Sequence, residues 1–168
     1  QGDLVELITH SALVNHGGGL RKERERVYPN PVHWVSHLYG NLPEGRLVKT
    51  VTSGETFSAD VEGIATVSDA PVLDVVGVLS LDGRRLTVLA INRDPSQFVS
   101  ATVQVTGFHP APEAEFETVT GEHFLSRNTW QEPGAVCLER SVVPVSGATF
   151  EVTFPPHSVS FLNLKAGQ

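Results

Sequence analysis

From Leu47 to Leu164 the chain is a succession of short apolar and β-branched runs separated by turn residues, with no helical periodicity. Apolar and polar residues alternate strictly through Thr102-Val103-Gln104-Val105 and through Thr149-Phe150-Glu151-Val152-Thr153-Phe154. A period of two predicts strands with one face on a core and one in water. The predicted strands are Leu47–Val51, Thr56–Val61, Val72–Leu79, Leu86–Asn92, Ser100–Thr106, Glu115–Thr120, Thr149–Phe154 and Ser158–Leu164. Leu81-Asp82-Gly83-Arg84 lies between two apolar runs, and Asp-Gly suits the primed turns that match strand twist. Many short strands with frequent turns predict a mainly β protein, an antiparallel β-sandwich.

Residues 3–39 have another texture. Leu4-Val5-Glu6-Leu7-Ile8 is apolar but too short for periodicity to choose between strand and helix. Gly17-Gly18-Gly19 breaks any regular element, and Arg21–Arg26 alternates in charge. A helix follows. Asn30 is a suitable N-cap, and Pro31 sits at the first helical position, where a missing N–H costs nothing. Val32, Val35 and Leu38 or Tyr39 then share a face with help from Trp34, and Gly40 supplies the stop. Such a helix needs something to cover its apolar side, so this region does not read as self-sufficient.

Composition narrows the function classes. A chain of 168 residues with a formal charge of −7 does not suit a phosphate-backbone partner, which calls for clustered Lys and Arg. No apolar run approaches the roughly 20 residues of a membrane-spanning helix. The single cysteine, Cys137, reads as a small buried hydrophobe and gives no vote between a cytoplasmic and a secreted protein. The chain holds no methionine and opens on Gln1-Gly2-Asp3 directly before an apolar run, which predicts a sequence that starts inside a longer protein.

His33 and His37 are four apart on the predicted helix, as two ligands of one metal ion would be. The zinc-protease pattern needs Glu after the first His, and Trp34 stands there, so helix-surface histidines are the expected outcome and no metal or other cofactor is implied. The glycine triplet lacks the Gly-Lys-Ser/Thr ending of a phosphate loop. Glycoside hydrolysis needs two carboxylates about 5–10 Å apart. Glu6, Glu23, Glu25, Glu113, Glu115 and Glu117 all read instead as solvated side chains. If Val5–Thr9 is a strand of a β/α barrel, its C-terminal end opens on the active-site face, and Thr9, His10, Asn15 and His16 become candidate contacts to sugar hydroxyls. Outside a barrel, His10 and His16 read as structural histidines.

Leu7-Ile8-Thr9-His10-Ser11-Ala12-Leu13-Val14-Asn15-His16-Gly17-Gly18-Gly19-Leu20, continued by Arg21-Lys22-Glu23-Arg24-Glu25-Arg26-Val27-Tyr28, resembles a segment late in the catalytic barrel of family 51-type α-L-arabinofuranosidases. Leu86-Thr87-Val88-Leu89-Ala90-Ile91-Asn92-Arg93 and Phe154-Pro155-Pro156-His157-Ser158-Val159-Ser160-Phe161-Leu162 resemble strands of that family's C-terminal sandwich. The order of these motifs along the chain is more specific than any one of them.

The resemblance implies a jelly-roll-like antiparallel sandwich over residues 46–168. Residues 1–45 would supply the last strand, glycine loop and last helix of a (β/α)8 barrel. It further implies a retaining hydrolase that removes arabinofuranosyl groups from arabinoxylan- or arabinan-type oligosaccharides, with both catalytic glutamates upstream of Gln1 and no catalytic residue on this chain. Its partners would be the N-terminal barrel portion and arabinose-containing oligosaccharides, with room for a homo-oligomer. Ala12 stands where some members place a glutamine near the sugar, and alanine cannot make that contact. The competing expectation is a stand-alone β-sandwich module that binds carbohydrate or is purely structural. It would need exposed aromatics for stacking on sugar rings, for which Trp130, Tyr39 and a few phenylalanines are on offer.

Overall fold

The structure, a computed structural model, describes residues 14, 15, 18–63 and 65–167. A short hairpin, β1 (Leu20–Glu23) and β2 (Arg26–Pro29), leads into helix α1 (Pro31–Gly40). Ten strands follow: β3 (Gly45–Val48), β4 (Thr56–Ala59), β5 (Val67–Pro71), β6 (Leu73–Ser80), β7 (Arg85–Asn92), β8 (Val99–Gln104), β9 (Pro110–Gly121), β10 (Val136–Pro144), β11 (Thr149–Phe154) and β12 (Ser158–Ala166). The main sheet has six antiparallel strands in the order β10-β9-β12-β7-β6-β3. The pair β8–β11 faces it, and β4–β5 forms a separate ribbon.

The predicted alternation explains the sandwich core. In β11, Phe150, Val152 and Phe154 are buried while Thr149, Glu151 and Thr153 are exposed. They pair in register with Val103, Ala101 and Val99 of β8. Together with Leu86, Val88 and Ala90 of β7, Phe116 of β9 and Leu162 and Leu164 of β12, they form one cluster between the two sheets. Phe116 and Phe154 meet edge to face at 5.8 Å across that gap.

The outer face of the main sheet carries a second apolar cluster: Leu89, Val119, Val136 and Phe161, closed by Leu38 of α1. Trp34, Val35 and Leu42 pack at its margin, and the Tyr39 ring stands perpendicular to Phe161 at 5.2 Å. The amphipathic helix predicted without a partner therefore finds it in the sandwich. Pro31 opens the helix as expected, but the Asn30 amide does not cap it and donates instead to the Gly18 carbonyl at 2.9 Å. The end also differs, because Gly40 remains helical and the chain leaves at Asn41, whose N–H bonds back to His37 and Leu38 carbonyls.

Strand β12 is buried on both faces, so its polar side chains must be satisfied internally. Ser160 hydrogen-bonds Thr118 at 2.8 Å, and Ser158 donates to the Pro155 carbonyl at 2.7 Å. On the outer face Thr87 donates to Asn163, whose amide donates to Glu117, which is also ion-paired with Arg140 at 3.0 Å. This overturns the solvated reading of Glu117: it is the acceptor end of a ladder crossing four strands, whereas Glu113 and Glu115 are exposed. Cys137 is half-buried in β10 opposite Thr120.

The hairpin forms where Asp82-Gly83 predicts it, but not with a primed turn: Gly83 takes a φ of 68° while Asp82 does not enter the positive-φ region, and the Gly83 N–H closes the turn on the Ser80 carbonyl at 2.9 Å. Asp82 accepts hydrogen bonds from the Ser80 hydroxyl and the Arg84 N–H, which hold its carboxyl below the usual carboxylate range. Elsewhere the expected strands shift at their ends. Leu47–Val51 becomes Gly45–Val48, Thr56–Val61 stops at Ala59, and Glu115–Thr120 extends to Pro110–Gly121. Strands β1, β2, β5 and β10 were not expected. Strand β10 is a sheet edge, and the Glu139-Arg140-Ser141 in its middle hides the alternation while blunting the edge against further pairing.

Replacing Leu38, only 2% exposed, by alanine opens a cavity between α1 and the sheet. The expected loss is about 2–4 kcal/mol, read as a lower urea midpoint at unchanged slope. A change below about 0.5 kcal/mol would show that α1 does not close this face.

Candidate functional site

The alternating charges of Arg21–Arg26 fold into an antiparallel hairpin rather than a solvated lead into the helix. Leu20 pairs with Pro29, Arg21 with Tyr28, Lys22 with Val27 and Glu23 with Arg26, around a two-residue turn with Arg24 at a φ of 52°. Because cross-strand partners share a face, Arg21, Glu23, Arg26 and Tyr28 project to one side.

That side meets the loop between β9 and β10, residues 122–135. The loop is built from two hydrogen-bonded turns. In the first, His123 N–H donates to Ser126 Oγ at 3.0 Å and Ser126 N–H to the His123 carbonyl at 2.8 Å. In the second, Thr129 N–H donates to the Glu132 carbonyl and Glu132 N–H to Thr129 Oγ1, both at 3.1 Å. Asn128 is the clasp. Its buried amide donates to the Pro29 and Val136 carbonyls, each at 2.8 Å, and its oxygen accepts the Val136 N–H at 2.7 Å. The Arg26 guanidinium stacks over the half-buried Trp130 ring, 4.4 Å from its centre.

An open cleft of about 430 Å³ lies between loop and hairpin, lined among others by Asn15, Arg21, Tyr28, Asn128, Trp130 and Gln131. Asn15 adopts a φ of 57°, which a short polar side chain tolerates, and its Oδ1 accepts the Lys22 N–H at 3.1 Å. The Gly18 N–H donates to the Asn15 carbonyl at 2.7 Å and Asn30 N–H to the Gly19 carbonyl at 2.8 Å, so the glycine loop is fastened to the start of α1. Of the four candidate sugar contacts, Asn15 lines this cleft; Thr9, His10 and His16 lie outside the described residues. The sequence offers Trp130 only as one of a few stacking aromatics. Tyr28, Arg21 and Asn128 carried no signal, because their partners lie across a hairpin with no Asn-Gly turn or along a contact 99 residues away.

His33 and His37 flank the Trp34 ring at 5.1 and 6.3 Å, and His37 Nε2 accepts from the Asn41 amide at 3.1 Å. They are helix-surface histidines engaged with their neighbours. Among the described residues, no group of three or more His, Cys, Asp or Glu side chains gathers as metal ligands would.

Aromatic rings, amides and cations thus surround an open cleft beside a β-sandwich. The particular family follows from comparison with known proteins. Residues 1–158 match the alpha-L-arabinofuranosidase C-terminal domain, and the chain belongs to that family. It is similar in structure to the Thermotoga maritima α-L-arabinofuranosidase solved as an arabinose complex, at 28% identity and a TM-score of 0.81, over 91% of this chain and 32% of that one. It is similar likewise to the thermostable GH51 α-L-arabinofuranosidase of Thermotoga petrophila RKU-1, at 29% identity and a TM-score of 0.81, over 91% and 32%. The GH51 arabinofuranosidase of Xanthomonas axonopodis pv. citri shares the fold at 23% identity and a TM-score of 0.75, over 90% and 30%. The chain thus spans about a third of the length of these solved enzymes. Comparison with curated proteins returns no match.

Replacing Asn128 by alanine leaves three backbone groups without their partner. The expected result is a loss of about 2–4 kcal/mol and faster proteolytic cleavage within residues 122–135. An unchanged cleavage rate would mean that the loop is held by something else.

Proposed function

We propose that this chain is the C-terminal part of an α-L-arabinofuranosidase, a retaining glycoside hydrolase that releases terminal arabinofuranosyl groups from arabinoxylan- or arabinan-type oligosaccharides. The observation that carries the reading is the family match over residues 1–158, which takes in the glycine-loop segment as well as the sandwich. Residues 1–45 belong on this reading to the end of a (β/α)8 barrel and residues 46–168 to the sandwich domain, with the N-terminal barrel portion as partner.

The chemistry of such an enzyme needs a general acid and a nucleophile about 5–5.5 Å apart across the scissile bond. Both are glutamates upstream of Gln1 on this reading. Thr9, His10, Asn15 and His16 border the sugar site, where Asn15 gains support from its place in the cleft. The sandwich braces this edge through two sets of contacts: α1 against the outer face of the main sheet, and Asn128 against Pro29.

The test is hydrolysis of p-nitrophenyl α-L-arabinofuranoside. The 168-residue chain alone is expected to show no turnover, and the chain preceded by its upstream sequence is expected to turn over with retention of anomeric configuration. Turnover by the chain alone would place the catalytic pair within it and refute the proposal, as would inversion by the longer form.

A further inference from the structure

The charges of the cleft are not those that a neutral pentose requires. Hydroxyls of a neutral sugar are satisfied by amides, hydroxyls and an aromatic platform, and the lining already offers Gln131, Tyr28 and Trp130. Arg21 and Arg127 line the same cleft, and Arg26 adds a third guanidinium at its wall, against one lining carboxylate, Glu23. This is a cationic concavity on a chain whose formal charge is −7. Lys22 also lines the cleft, with its ammonium donating to the Arg24 carbonyl at the hairpin turn.

Three of the nine arginines are engaged with a partner. Arg93 is paired with Asp74 and Arg140 with Glu117, and Arg26 is committed to the Trp130 ring. Among the described residues, the other six, Arg21, Arg24, Arg46, Arg84, Arg85 and Arg127, have no carboxylate at ion-pair distance, and of these Arg21 and Arg127 are the two that line this cleft. They approach the cleft from opposite walls, Arg21 from the hairpin and Arg127 from the β9–β10 loop, and the Asn128 clasp holds those walls together. A guanidinium is a planar fork that matches a carboxylate in two parallel hydrogen bonds. Arg127 also lines a second open cleft together with Glu122 and Glu132, whose carboxylates repel an acid there and so favour its binding on the Arg21 side.

Resting on the reading of this cleft as a carbohydrate site, we infer that its preferred ligand is an acidic oligosaccharide segment. A uronic acid carboxylate sits between Arg21 and Arg127, and a neighbouring sugar ring lies against Trp130. The seam between residues 1–45 and the sandwich then selects the part of a polysaccharide that carries acid groups.

The experiment is calorimetric titration of the intact polypeptide, upstream sequence included, with three probes: a xylo-oligosaccharide bearing one glucuronic acid group, the same oligosaccharide without it, and inorganic phosphate. The acidic oligosaccharide is expected to bind about tenfold tighter than the neutral one, an advantage that shrinks with added salt. Arg127→Gln, in an exposed loop position, is expected to erase that advantage, while Trp130→Phe keeps it and Trp130→Ala weakens both sugars. Equal affinity for the two oligosaccharides would overturn the acid preference and leave the carbohydrate reading standing. Binding of phosphate as tight as that of the acidic sugar, or binding of none of the three, would overturn both.

Discussion

The structure depends on the burial of β12 from both sides. A strand at the centre of a six-stranded sheet has its inner face covered by the β8–β11 pair, but its outer face, with Phe161 at the middle, needs a second cover. Helix α1 supplies it through Leu38, Trp34 and Val35. Where the apolar cover ends, the polar ladder Thr87–Asn163–Glu117–Arg140 begins, and each member finds a partner in the next strand. Removing Asn163 would leave the buried Thr87 hydroxyl without its partner, which is why such ladders fix register as well as add stability.

Docking of α1 also decides where the hairpin goes. Pro29 ends β2 and Pro31 begins the helix, so hairpin and helix are separated by the single residue Asn30. Once the helix lies on the sheet, the hairpin is carried to the end where β9 turns into β10, and Asn128 closes the gap. The cleft is therefore a consequence of the fold's outer layer. The β9–β10 loop brings Trp130 and Arg127, the hairpin brings Tyr28 and Arg21, and the rim comes from the turn around Asn15.

The sandwich was legible where one face of a strand is wet, because burial then writes an alternation into the sequence. Thr149–Phe154 is predicted to the residue for this reason. Legibility fails where burial is not one-sided. Strand β10 is an edge with charges at its centre, and β5 carries Ser68 and Asp69, both exposed, in a ribbon that contributes to neither apolar cluster among the described residues. The hairpin was missed because its turn uses Arg24 in a left-handed conformation where a primed turn would advertise Asn or Gly. Helix α1 was visible from Pro31 and its apolar spacing, yet its partner was not, since amphipathicity says only that a face is covered. In the cleft, Asn15 and Trp130 were named from the sequence for different reasons, and only the fold brings them to one place.

The claim that holds these observations together is that α1 and the main sheet form one cooperative unit, so that the cleft is preformed. Native-state hydrogen exchange reads this directly. The amide protons of Leu38–Asn41 are expected to exchange through the same global opening as those of Phe161 and Leu162, with matching free energies and matching dependence on denaturant. Exchange of the helix amides through a separate opening, several kcal/mol easier than that of β12, would contradict the account.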